Sequence, residues 1–201
     1  MREHGFRKRG RTYNCTTEDQ LTQVINLQMG SFDPPGTTYV PGLRENLYGW
    51  FTVNLGVYVP EVARHFGGAE AKAFVQEPYC CIRSRLGELG PGHRDLWWRI
   101  SADQSLSREI LDRLEQDGLP FLARFQTRDL ILQEWHDVSA NQGAGGPPRI
   151  ILALILWARG QQEEAQRLLA AQARENQTSH PHHAAYVRML ATKLGLAALD
   201  G

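Results

Sequence analysis

Apolar and polar positions alternate most regularly between Trp50 and Val59. Phe51, Val53, Leu55, Val57 and Val59 interleave there with Trp50, Thr52, Asn54, Gly56 and Tyr58. A period of two predicts a half-buried antiparallel strand. Pro60 ends it, since proline cannot donate to a sheet ladder. The same period, less regular, marks Leu21 to Met29, with Leu21, Ile25 and Leu27 on one face and Asn26 and Gln28 on the other. Val24 breaks the alternation by falling on the polar side. Arg11–Cys15 predicts a short strand ahead of it, and Tyr79–Leu86 and Leu96–Ile100 predict two more, parted by a turn over Gly87–Gly92. Ser31–Gly49, rich in proline and glycine, reads as a long hairpin loop. Glu61–Phe66 reads as a helical turn closed by Gly67 and Gly68. These connections are too short for regular βαβ crossovers, so the sheet is expected to be mostly antiparallel, with four or five strands.

After Ile100 the period lengthens to that of a helix. Leu106, Ile110, Leu111 and Leu114 form a stripe that Asp103 or Ser105 can cap, and Gly118 with Pro120 predicts its end near Asp117. A second helix is predicted from Arg128 to Val138, capped by Thr127, with Trp135 anchoring its apolar side. Ser139–Pro148 reads SANQGAGGPP and cannot support a packed element. Beyond it come three helical segments. Ile150–Ala158 is nearly all apolar, Gly160 breaks it, and Gln162–Glu175 carries Ala165, Leu168, Leu169 and Ala173 on one side. Pro181 opens the last helix, which holds Tyr186, Val187, Leu190 and Leu194. Trp157–Leu169 looks like half of a tetratricopeptide unit, expected here as a helical hairpin packed on the sheet. The fold class is therefore α+β: a sheet packed with helices over residues 1–138, a linker over 139–148 and a helical C-terminal extension over 149–201.

Composition narrows the function classes. The 201 residues carry no net charge, so global charge gives no reason to expect nucleic acid as a partner. Arg2, Arg7, Lys8, Arg9 and Arg11 cluster near the N-terminus and read as a solvated face or strand edge. Three cysteines, Cys15, Cys80 and Cys81, make no disulfide framework and are expected to be reduced thiols. The charged N-terminus shows no apolar signal segment, and the Ile150–Ala158 stretch is too short for a bilayer. A cytoplasmic location without membrane contact is the expectation.

Candidate chemistry concentrates on the polar side of the sheet. If the strands pair in order, Asn26, Gln28, Asn54, Tyr58, Arg83 and Arg85 share one face. Paired guanidinium groups suit a carboxylate or phosphate; the plainer alternative is a solvent face held by cross-strand hydrogen bonds. On the site reading, removing both arginines would leave folding intact. Trp97 and Trp98, adjacent in a strand, face opposite sides, so one is expected in the core and the other is a candidate contact residue, here Trp98, with packing the plainer reading for both. His180, His182 and His183 diverge along a helix and do not converge as metal ligands. Glu134, His136 and Asp137 are one turn of polar residues. No metal or cofactor is expected, because no nucleotide loop, nucleophile elbow or metal motif is present.

Several short segments, taken in order, carry a family resemblance: GFRKRGRTY at Gly5–Tyr13, QVINLQMG at Gln23–Gly30, FTVNLGVYVPE at Phe51–Glu61, CIRSRLGEL at Cys81–Leu89, and the Trp97–Trp98 pair. Over residues 5 to 125 the chain resembles the bacterial family catalogued as domain of unknown function 4304. The resemblance implies an α+β fold and no particular activity. Members usually carry a helix ahead of the segment matching Gly5–Gly10, whereas this chain begins at Met1. Either the start site is drawn too late or the protein lacks this helix, and a missing helix would leave one face of the sheet less covered. Two readings of function follow. One is a non-catalytic protein-binding module of adaptor or toxin-immunity type. The other is a small enzyme or ligand-binding protein acting on an anionic metabolite through Arg83, Arg85, Asn54 and Tyr58. Binding is favoured over catalysis.

Overall fold

The computed structural model describes residues 1–30, 46–65, 73–135 and 148–199. Among these, six strands form one antiparallel sheet: β1 (Arg7–Arg9), β2 (Thr12–Thr16), β3 (Thr22–Met29), β4 (Trp50–Tyr58), β5 (Ile82–Arg85) and β6 (Trp98–Arg99). The order is β1-β2-β3-β4-β5, and β6 shares the outer edge of β4 with β5. The α+β class and the antiparallel sheet are as the sequence predicts. The additional strand is β1. Its Arg-Lys-Arg triplet has no apolar alternation, but Gly10, at φ +61°, lets the chain reverse in two residues so that Arg9 pairs Thr12. The basic cluster is thus in part an edge strand, where charge discourages further pairing.

Strand β4 is the centre of the sheet and is buried on both faces, not half-buried as its alternation predicts. One face meets the helices. Its other face lies under residues 73–80, which cross the polar side as a strap. Asn14 holds the strap at Val75, accepting from the Val75 N–H at 2.7 Å and donating to the Val75 carbonyl at 3.0 Å. Val24, Tyr58, Ala63, Val75 and Cys80 form a small apolar cluster under it, which accounts for Val24 on the polar side. Gly56 allows this approach: a Cβ there would sit 2.7 Å from Cys80 Sγ. Within the segment Tyr79–Leu86 only β5 is strand; a 3₁₀ turn over Glu77–Tyr79 precedes it and the short helix α2 (Leu86–Leu89) follows.

The helices are α1 (Pro60–His65), α3 (Gln104–Arg113), α4 (Leu119–Ala123), α5 (Arg128–Glu134), α6 (Pro148–Ala158), α7 (Gln162–Asn176) and α8 (Pro181–Lys193). Asp103 and Thr127 cap α3 and α5, their side chains accepting from the Ser105 and Leu130 N–H groups. Gly118 does not end its helix as predicted. A π-helical stretch over Leu114–Gly118 carries the chain straight into α4, with Pro120 in the first turn of α4. Gly118 is there for packing, since a Cβ would meet Leu114 at 3.0 Å and Leu86 at 3.2 Å.

One apolar core runs from Phe6 through the sheet to Leu199. Ile150 to Leu156 in α6 are all buried, and Trp157 Nε1 donates to the Leu194 carbonyl at 2.9 Å. Ala165, fully buried, lets α7 approach α6, and α8 packs on α7. Residues 136–147, which include most of the proposed linker together with His136 and Asp137, lie outside the described residues, as do 31–45 and Gly67–Gly68. Pro148, assigned to the linker from its composition, is the first residue of α6. Among the described residues no helix is long and apolar enough to cross a membrane.

Candidate functional site

Register places Asn26, Gln28, Asn54, Tyr58, Arg83 and Arg85 on one face, because Asn26 pairs Asn54, Gln28 pairs Thr52, Asn54 pairs Arg85 and Gly56 pairs Arg83. What the face does with these groups differs from an open anion site. Asn54 Nδ2 donates to Gln28 Oε1 at 2.7 Å, and Asn26 Nδ2 donates to Thr12 Oγ1 at 2.8 Å. Arg83 makes a bidentate pair with Glu77 of the strap, at 2.6 and 3.1 Å. Arg85 contacts Asp95 and lies 5.5 Å from the centre of the Trp97 ring. The backbone N–H of Arg85 donates to Glu88 Oε2 and so caps α2.

Gln28, Asn54, Glu77, Arg83, Ser84, Arg85 and Glu88 line a shallow hollow of about 190 Å³. Its two guanidinium groups are matched by two carboxylates, so it offers no surplus positive charge. Arg83 is also structural. Glu77 is buried, and Arg83→Ala leaves its carboxylate without its partner. We expect that variant to lose about 1–3 kcal/mol in urea unfolding, with most of the loss recovered by adding Glu77→Gln. An unchanged midpoint for Arg83→Ala would show that the pair does not hold the strap.

Trp98 is set apart from the six residues of the polar face. It pairs Phe51 across β6 and β4, its ring 6.1 Å from that of Phe51, and its Nε1 donates to Glu109 at 3.1 Å. It is the core member of the tryptophan pair, and Trp97 is the more exposed one. The three histidines of α8 and its cap do not converge: His180 meets Ser179 and His183 meets Gln172. Among the described residues no group of three or more His, Cys, Asp or Glu is placed to hold a metal. Burial pushes the Cys81 thiol up to about 12 and raises Cys80 and Cys15, which keeps these thiols protonated and unreactive at neutral pH.

An apolar opening lies on the opposite face of the sheet. Helix α3 is amphipathic, yet none of its residues is fully buried. It stands off the sheet and leaves a cleft of about 320 Å³. Tyr13, Leu27, Phe51 and Val53 form its floor, with Leu106, Ile110 and Leu111 along the α3 side. Met1 and Ile100 also line it. Ile100 and Leu111 are 53% and 44% exposed, so the cleft opens onto an apolar rim. The stripe on α3 is legible in the sequence, but it predicts burial; the stand-off comes from tertiary packing. Ile100, just beyond the Trp97–Trp98 pair, carries no periodic signal.

The model of one family, described as Domain of unknown function (DUF4304), matches residues 43–124. That span holds β4, the strap, β5, β6 and α3; the first three strands precede it. No curated protein and no solved structure matches the chain.

Proposed function

We propose that this chain, which carries a DUF4304 domain over residues 43–124, is a non-catalytic binding protein that receives an apolar segment of a protein partner in the cleft between α3 and the sheet. The observation that carries this reading is the cleft itself. Contiguous apolar surface open to water marks interaction sites on soluble domains. The exposed rim at Ile100 and Leu111 favours a partner that covers the cleft from outside over a small molecule enclosed within it. An amphipathic helix presenting two or three large apolar side chains fits such a groove. The charge pairing at Arg83 and Arg85 removes the main support for an anion site there.

The test is the double variant Ile100→Asp with Leu111→Asp, which charges the rim at two exposed positions. The wild-type protein should enhance the fluorescence of anilinonaphthalene sulfonate in the folded state, and the variant should lose most of that enhancement with its melting temperature kept. Equal enhancement by a folded variant would count against the cleft as the exposed apolar site.

A further inference from the structure

A second cavity, of about 600 Å³, opens on the strap side of the sheet. It is lined by residues of β1 to β4 and by residues 73–75 of the strap. Register sets its floor. Thr16 pairs Thr22, and Thr22 pairs Tyr58, so three hydroxyl-bearing residues stand side by side across β2, β3 and β4 on one face. Neighbouring strands lie about 4.8 Å apart, so the row spans roughly 10 Å. Arg7, which pairs Asn14 one row away, also lines the cavity.

Three features make this more than a gap. First, none of the three hydroxyls makes a hydrogen bond to a described residue. Tyr58 is 3% exposed, with its ring packed among Val24, Ala63, Val75 and Cys80. Its hydroxyl is not sealed in, because among the described residues the buried side-chain polar atom without a partner is His65 Nδ1. Tyr58 therefore keeps an apolar body in the cluster and an unspent hydroxyl at the cavity. Second, among the described lining residues Arg7 is the one ionised group, and no carboxylate lines the cavity. Arg7 forms no ion pair with a described residue. Third, the cavity is of ligand size, since small-molecule sites run about 300–1,000 Å³.

We propose that Thr16, Thr22, Tyr58 and Arg7 form a binding site for a small polyhydroxylated molecule carrying one phosphate or carboxylate group. Hydroxyl side chains both donate and accept, which suits a sugar-like body, and the guanidinium takes the anionic end. Burial raises the Tyr58 pKa, with Arg64 opposing, so the hydroxyl is a donor at neutral pH. This site lies on the opposite face of the sheet from the cleft, and its failure would leave the cleft reading untouched.

The experiment is calorimetric titration of the full chain with ribose 5-phosphate, gluconate and, as the uncharged control, ribose. One of the two anions should bind measurably and more tightly than ribose. Arg7→Gln should weaken that binding by about tenfold or more, the loss of a charge-assisted hydrogen bond. Tyr58→Phe, which deletes the hydroxyl alone, should weaken it by about three- to tenfold. Both variants should melt like the wild type without ligand. Absence of heat with both anions, or binding unchanged in both variants, would overturn the proposal. So would a Tyr58→Phe protein that melts lower and binds as before, because the hydroxyl would then be structural.

Discussion

Arg128→Ala should lower the stability of the protein by about 3 kcal/mol, the cost of breaking a largely desolvated ion pair. Arg128 opens α5 and reaches two separate parts of the fold. Its Nε and Nη2 donate to the Glu61 carboxylate of α1 at 2.6 and 2.8 Å. Its Nη1 lies 3.1 Å from Asp19, in the turn between β2 and β3, and its backbone N–H donates to the same carboxylate at 2.6 Å. Glu61 is buried, so the alanine variant leaves a buried charge uncompensated. Urea unfolding measures the loss. The control is Arg128→Met with Glu61→Leu, which removes both charges and should recover much of it. If the alanine variant unfolds within 0.5 kcal/mol of the wild type, roughly the scatter of ordinary surface substitutions, the network is not a fastening.

Ile155→Ala should cost about 3 kcal/mol by the lost transfer energy and the cavity left behind. Ile155 is fully buried in α6, which packs against α1, α5 and α7. Because one core joins these elements, the loss should appear in a single transition seen alike by far-ultraviolet circular dichroism and by tryptophan fluorescence. Two separated transitions, with the sheet unaffected by the substitution, would mean that the C-terminal helices unfold on their own.

Parity along a pleated strand was enough to read much of the polar face. Knowing only that β3, β4 and β5 pair in order puts Asn26, Asn54 and Arg85 in one row. What parity could not supply is what those side chains meet. Glu77 comes from the strap, which has no period to announce it, and Asp95 comes from the irregular run between α2 and β6. Both arginines look available in the sequence and are paired in the structure. The hydroxyl row was half legible: Tyr58 stood out, but Thr16 and Thr22 flank a turn and become its neighbours only once the β2–β3 hairpin is formed. Gly118 shows local propensity overridden by packing, as its lack of a side chain serves Leu114 and Leu86 and does not stop the helix. The cleft was hidden for a related reason. A stripe such as Leu106, Ile110, Leu111 and Leu114 encodes an apolar face, and how closely that face approaches the sheet is fixed elsewhere.

Photo-crosslinking in the native cells tests the cleft most directly. A benzoylphenylalanine at position 111, on the rim, is compared with one replacing the exposed Tyr79 of the strap, on the opposite face. The cleft reading predicts a discrete protein adduct of defined mass from position 111, lost on adding Ile100→Asp, and none from position 79. No adduct from position 111, or the same adduct from both positions, would contradict it.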